Sequence, residues 1–204
     1  MADRRTSGGS EPQFGKMSAV RAASIGRLLK RECWSLLDFY SKRENLPADV
    51  GGADPRLVSV PPPSSQLDSR DQLWRLHVAL LQCRSLMESA IAKEDEELGV
   101  DQDQDQDQGE YASLRSTVKE RLKLLAFCVS ELLGAGDGPA VATPASSDSL
   151  ERADGSLFEL KLLVLRIFKE VDYWAKTAVA ILQTLSKEPA RNTRLRRSIR
   201  STRR

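Results

Sequence analysis

SLFELKLLVLRIFKEVDYWAKTAVAILQTLSK, residues 156–187, carries the strongest regularity in the chain. Leu157, Leu160, Val164, Ile167, Val171, Trp174, Ala178, Ile181 and Leu185 step by three and four without a miss, the spacing of one face of an α-helix. Ser156 followed by Glu159 is a capping box at its head, and Pro189 closes its far end. Phe158, Leu162, Leu163, Leu165 and Phe168 flank the stripe and are apolar too, so this helix has the broad buried face of one packed against two neighbours.

Working back towards the N-terminus, the same periodicity predicts three more helices, over about 18–44, 71–98 and 110–133. Ile25, Leu28, Leu29, Leu36, Leu37 and Tyr40 mark the first, which Leu46-Pro47 ends. Leu73, Leu76, Leu80, Cys83, Met87 and Ala90 mark the second. Tyr111, Leu114, Val118, Leu122, Leu125, Val129 and Leu132 mark the third, with Gly134 as its stop. No segment alternates as a half-buried strand does. The connections run long, short, long. Residues 45–70 hold Gly51-Gly52 and the Pro61-Pro62-Pro63 run, 99–109 is an Asp-Gln tract, and 135–155 is Gly-, Ala-, Pro-, Ser- and Asp-rich. A long connection can climb a bundle and start the next helix in the same direction as the last, so the expected fold is all-α. It is a long-chain four-helix bundle, up-up-down-down, with two long crossover loops.

Composition supports one helical domain over 18–187, between a disordered N-terminus over 1–17 and a basic disordered tail over 188–204. Hydrophobic residues make up 40% of the 204 and charged residues 29%, an ordinary globular balance. The formal charge of +2 is uneven. Residues 187–204 carry a net +7, which leaves a net −5 on the rest, unlike a uniformly basic nucleic-acid binder. No apolar run reaches the roughly 20 residues of a membrane span, so no membrane insertion is expected. MADRRTSGGSEPQFG lacks the apolar core of a signal peptide, which points to the cytoplasm.

Nothing reads as catalysis. One histidine, His77, and no CxxC spacing imply no metal site, and there is no phosphate loop or paired acid–base constellation, so an enzyme is not expected and no cofactor is called for. Cys33, Cys83 and Cys128 each fall inside an apolar periodic stretch, as buried free thiols do. Trp174 is on its stripe and reads as core. Trp34 and Trp74 lie just off theirs, which leaves both an inter-helix edge and an exposed face open to them.

DGSLFELKLLVLRIFKEVDYW, residues 154–174, is similar to the opening of the fourth helix in the interleukin-6 family of long-chain four-helix cytokines. The likeness is to the branch that includes the cardiotrophins and leukaemia inhibitory factor. Its signature is Phe-x-x-Lys with a Trp sixteen residues after the Phe, met here by Phe158, Lys161 and Trp174. FYSKRENL, residues 39–46, and LLAFCVSELL, residues 124–133, resemble the matching family segments. The resemblance implies a ligand without chemistry of its own, bridging an alpha receptor, a leukaemia inhibitory factor receptor-like chain and a shared signal-transducing chain, and acting outside the cell after release without a signal peptide. It implies that Phe158 and Lys161 contact the leukaemia inhibitory factor receptor-type chain. It places the alpha-receptor patch at Arg27, Lys30 and Glu32, while Leu67 and Thr177 stand where the family carries a Trp and a basic residue. The basic tail suits a solubilising role, with binding of a sulfated glycosaminoglycan or a nuclear-import-like signal as alternatives. An intracellular helical scaffold or adaptor is the alternative from another class.

Overall fold

In the computed structural model the described residues are 11–47, 56–64, 66–97, 106–134 and 156–187. Among them are four helices and no strand: α1 (Glu11–Arg43), α2 (Ser69–Glu97), α3 (Gln106–Leu133) and α4 (Leu157–Lys187). The packed pairs are α1–α3, α1–α4, α2–α3 and α2–α4, so α1 faces α2, and α3 faces α4, across the diagonals of a four-helix bundle.

Every packed pair is antiparallel. Along α1 and α4, Gly26 meets Val179 at one end and Tyr40 meets Lys161 and Phe168 at the other. Along α1 and α3, Glu32 pairs with Arg121 and Tyr40 stacks on Tyr111. Glu94, near the end of α2, reaches Tyr111 near the start of α3. Gln72 lines one groove with Tyr173, Thr177 and Thr184, so the start of α2 lies beside the later half of α4. Two helices antiparallel to the same pair are parallel to each other. The order is therefore up-up-down-down, and 44–68 and 134–156 are the crossovers.

The core is the sum of the stripes. The fourth stripe is buried from Leu160 to Ile181, with Leu163, Leu165 and Phe168 beside it, because α4 packs on both α1 and α2. Leu157, first in that stripe, is exposed. Trp174 is fully buried and donates its indole N–H to Glu170 at 2.9 Å. Cys33, Cys83 and Cys128 are free, buried and on three different helices. Burial pushes all three thiols up, away from the reactive thiolate.

Helix ends follow local chemistry. After α1, Asn45 takes the left-handed conformation (φ 51°) and the Leu46 amide bonds the Ser41 carbonyl at 2.9 Å, a Schellman closure with Leu46 buried. Gly134 ends α3 in the same conformation (φ 81°). Asp68 caps α2 by accepting the Asp71 amide at 2.7 Å. Two starts differ from expectation. Residues 11–17, expected in a disordered N-terminus, are helical, and α3 begins at Gln106, inside the Asp-Gln tract. Hydrophobic period reports burial and not helicity, so a polar first turn leaves no mark in it. Pro12, lacking an N–H, is tolerated in a first turn. Residues 1–10 and the tail at 188–204 lie outside the described residues.

The first crossover is pinned to the bundle. Val58 and Val60 are buried. Between them the Ser59 amide donates to the side chain of buried Gln82 at 3.0 Å, and Gln82 donates back to the Ser59 hydroxyl at 2.9 Å. The Arg56 guanidinium lies 3.5 Å from the centre of the Tyr173 ring, a cation–π contact with α4.

Candidate functional site

Phe158 and Lys161 stand in the first turn of α4, three residues apart and therefore on neighbouring positions of one helix face. Phe158 is 58% exposed, whereas Phe168 and Trp174 on the same helix are buried. Lys161 is not a free cation: its Nζ lies 2.6 Å from Glu44 Oε2, and the Glu44 side chain is only 7% exposed. Arg43 bonds the other oxygen of Glu44 at 3.1 Å. An ammonium has three donors, so the Glu44 bond leaves Lys161 two for a partner.

Beneath this pair the ends of all four helices are knitted together. The Tyr40 hydroxyl donates to the Lys161 carbonyl at 3.2 Å, and its ring meets Phe168 edge-on at 5.1 Å. Tyr111 stacks between Phe39 and Tyr40, with ring centres 5.9 and 5.8 Å away, and the guanidinium groups of Arg43 and Arg115 each sit 4.6 Å from its centre. Its hydroxyl donates to both Glu94 oxygens at 2.9 Å, and Arg115 bonds Glu94 at 2.8 Å and Asp95 at 3.2 Å. Glu94 is buried. Burial pushes its carboxyl above the ordinary value, against the pull of Arg115 and Tyr111, and Glu94 in turn holds Arg115 in its charged form. Burial likewise pushes the Tyr40 and Tyr111 hydroxyls up, so both remain neutral donors. The result is a bonded and stacked network at this end of the bundle, and Phe158, in the first turn of α4, is exposed to solvent.

The three residues proposed for an alpha receptor do not act alike. Arg27 and Lys30 are exposed, and Arg27 donates to the Ser24 hydroxyl at 3.0 Å. Glu32 faces α3, where both its oxygens are held by Arg121 at 2.8 and 3.1 Å, and that bond pushes the arginine up. Glu32 therefore braces α1 against α3. Leu67 and Thr177, far apart in sequence, line one groove between the first crossover and α4.

Periodicity had no means of finding Glu44, since a charged residue at a helix end carries no burial signal until its partner is known. Trp34 is 66% exposed and Trp74 is also exposed, which resolves both onto the surface. Leu124 and Phe127 on α3 are exposed as well. Among the described residues no three His, Cys, Asp or Glu side chains are grouped so as to hold a metal ion, and no helix is long and apolar enough to cross a membrane. Set against protein families, curated proteins and solved structures, the chain matches none.

Proposed function

We propose that this chain is a ciliary neurotrophic factor-like cytokine, a ligand that bridges cell-surface receptor chains and so triggers Janus-kinase/STAT signalling in support of neuronal survival or differentiation. The observation that carries the reading is the exposure of Phe158 at the head of α4, beside Lys161, whose carbonyl and ammonium are both held by the end of α1 and the residue after it. An exposed aromatic beside a cation on a rigid support is the kind of group that dominates an interface: the ring enters a pocket, and the ammonium meets partner oxygens. In this reading Phe158 and Lys161 engage a leukaemia inhibitory factor receptor-type chain, Arg27 and Lys30 belong to the alpha-receptor side, and the shared signal-transducing chain completes the complex. The protein is held in the cytoplasm and acts outside the cell once released. The up-up-down-down bundle supports the reading because it sets surface patches on different faces of one compact body.

The test is the double substitution Phe158→Ala with Lys161→Ala, added as purified protein to cells that express defined receptor combinations. STAT phosphorylation should be lost while the circular dichroism spectrum is kept. Phe158 contributes little to stability because it is exposed. Losing Lys161 deprives buried Glu44 of its closest cation, so a cost of about 1–2 kcal/mol is expected. Loss of the pair should weaken receptor binding by roughly 3–5 kcal/mol, about two to four decades. A folded double variant that signals like wild type would overturn the assignment. Wild-type protein silent on every receptor combination would favour an intracellular scaffold or adaptor with a basic tail.

A further inference from the structure

We infer that the groove along the outer seam of α2 and α3 is a binding site for a single-chain anionic amphiphile, a fatty acid held by its carboxylate at Arg84 and Lys123 and by its chain against Leu81, Leu124 and Phe127. The described lining comes from α2 and α3 alone, away from Arg27 and Lys30 on α1 and from Phe158 and Lys161 on α4. The groove has a volume of about 800 Å³, within the range of sites that take one small ligand. Phe127 is 58% exposed and Leu124 is exposed too, so both are apolar groups that the core of the bundle does not use.

The two ends of the groove differ in chemistry. Counting along the antiparallel helices from the Glu94–Tyr111 and Asp95–Arg115 contacts brings Leu81 level with Leu124 and Phe127, and Arg84 level with Lys123. His77, one turn before Leu81, belongs to the apolar end, and burial pushes its imidazolium below the ordinary value, so the ring is uncharged at neutral pH. The cationic end can exchange partners. Arg84 turns one edge of its guanidinium, Nε and Nη2, to a single oxygen of Glu88 at 3.0 Å, and the edge with Nη1 is not used in that bond. Lys123 stands 4.0 Å from Glu120, with both side chains 61% exposed. Exposed pairs one helical turn apart are weak, so a carboxylate can displace them. Arg121, by contrast, is held by both oxygens of Glu32 and stays out of the exchange.

That pattern selects the ligand. Three cations line the groove against one carboxylate, Glu120, so a second copy of this chain seated there would set like charge against like. A small inorganic anion would leave Leu81, Leu124 and Phe127 without a role. A bilayer surface needs a whole apolar helix face, and the stripes of α2 and α3 are spent in the core. A fatty-acid carboxylate matches the flat fork of Arg84 edge to edge with the Lys123 ammonium beside it, and its chain covers the wet apolar wall. The site is independent of the proposed receptor contacts, so the two readings fail separately.

The test is isothermal titration calorimetry of the full chain with sodium laurate, kept below its micelle concentration. One laurate should bind per chain, about tenfold or more tighter than dodecanol at low salt, and acetate should give no signal. Arg84→Gln with Lys123→Gln should erase the preference for laurate over dodecanol, and Phe127→Ala should weaken both by about tenfold. None of the three side chains lies in the core, so the circular dichroism of these variants should match wild type. Wild type that binds no laurate, or several per chain, or with an affinity that neither variant changes, would overturn the site. So would a Phe127-dependent dimer in sedimentation velocity with no response to laurate, which assigns the groove to a second copy. Binding confined to phosphatidylserine vesicles would assign it to a bilayer, and Phe127→Ala that loses a receptor ectodomain while keeping laurate affinity would assign Phe127 to a protein interface; either result refutes the fatty-acid site.

Discussion

Glu94 illustrates what a single residue contributes to the candidate site. Its buried carboxylate is held by the Tyr111 hydroxyl and the Arg115 guanidinium, and it ties the end of α2 to the start of α3 beneath Lys161. Removing Arg115 leaves a buried charge with a single neutral donor. Arg115→Met should therefore cost about 3–5 kcal/mol at neutral pH, and Tyr111→Phe about 1–3 kcal/mol. The pH dependence has a definite sign. Burial raises the folded-state value for Glu94 above the unfolded 4.5, and loss of Arg115 raises it further. A group so raised is no burden below its unfolded value, where both states are protonated, and it costs stability as pH climbs through the folded value. Urea unfolding of Arg115→Met should accordingly show a smaller loss relative to wild type near pH 4.5 than near pH 7.5. Equal losses at both would mean that Glu94 is not ionised in the native network.

At the scale of the element, α1 lies against α4 at Gly26, a position with no side chain. A Cβ placed on Gly26 would lie 3.3 Å from Val179 Cγ2 and 3.8 Å from the Val179 amide nitrogen. Gly26→Ala gains helix propensity of up to about 1 kcal/mol and meets only a slightly tight contact with the end of a valine, so thermal unfolding should place it within about 1 kcal/mol of wild type. Gly26→Leu has to displace α4 or leave its rotamer well, and should lose about 1–3 kcal/mol or more. A neutral Gly26→Leu would show that the two helices separate freely there. Other properties of the helices were written locally. The Leu46-Pro47 stop, Gly134 and the buried span of the fourth stripe all fall where periodicity and turn chemistry put them. The starts of α1 and α3 were not legible, because neither stretch of sequence carries a 3-4 apolar stripe.

For the molecule as a whole, charge is divided between bundle and tail. Removing residues 188–204 takes the formal charge from +2 to −4. If the tail is what binds sulfated glycosaminoglycan, this deletion should abolish retention on heparin at physiological salt, while the unfolding free energy stays within about 0.5 kcal/mol of wild type. Retention that survives the deletion would move the binding to cations of the bundle, with Arg27, Lys30 and Arg31 the first to substitute.

The chain's own pattern was enough to give four amphipathic helices, the long-short-long connections, and hence the all-α up-up-down-down bundle, because stripe and loop length are properties of consecutive residues. It also gave Trp174 and the three cysteines as core, since each sits on or within a stripe whose period alone assigns a side. Which groups meet across the bundle was decided only by the tertiary structure. Lys161 on Glu44, Glu32 on Arg121, Tyr111 between Phe39 and Tyr40, and the exposure of Phe158 and Trp34 depend on the relative rotation and height of helices joined by long crossovers, which short-range periodicity does not encode. A charged or aromatic residue at the margin of a stripe is free, paired or buried according to what the neighbouring helix places opposite it.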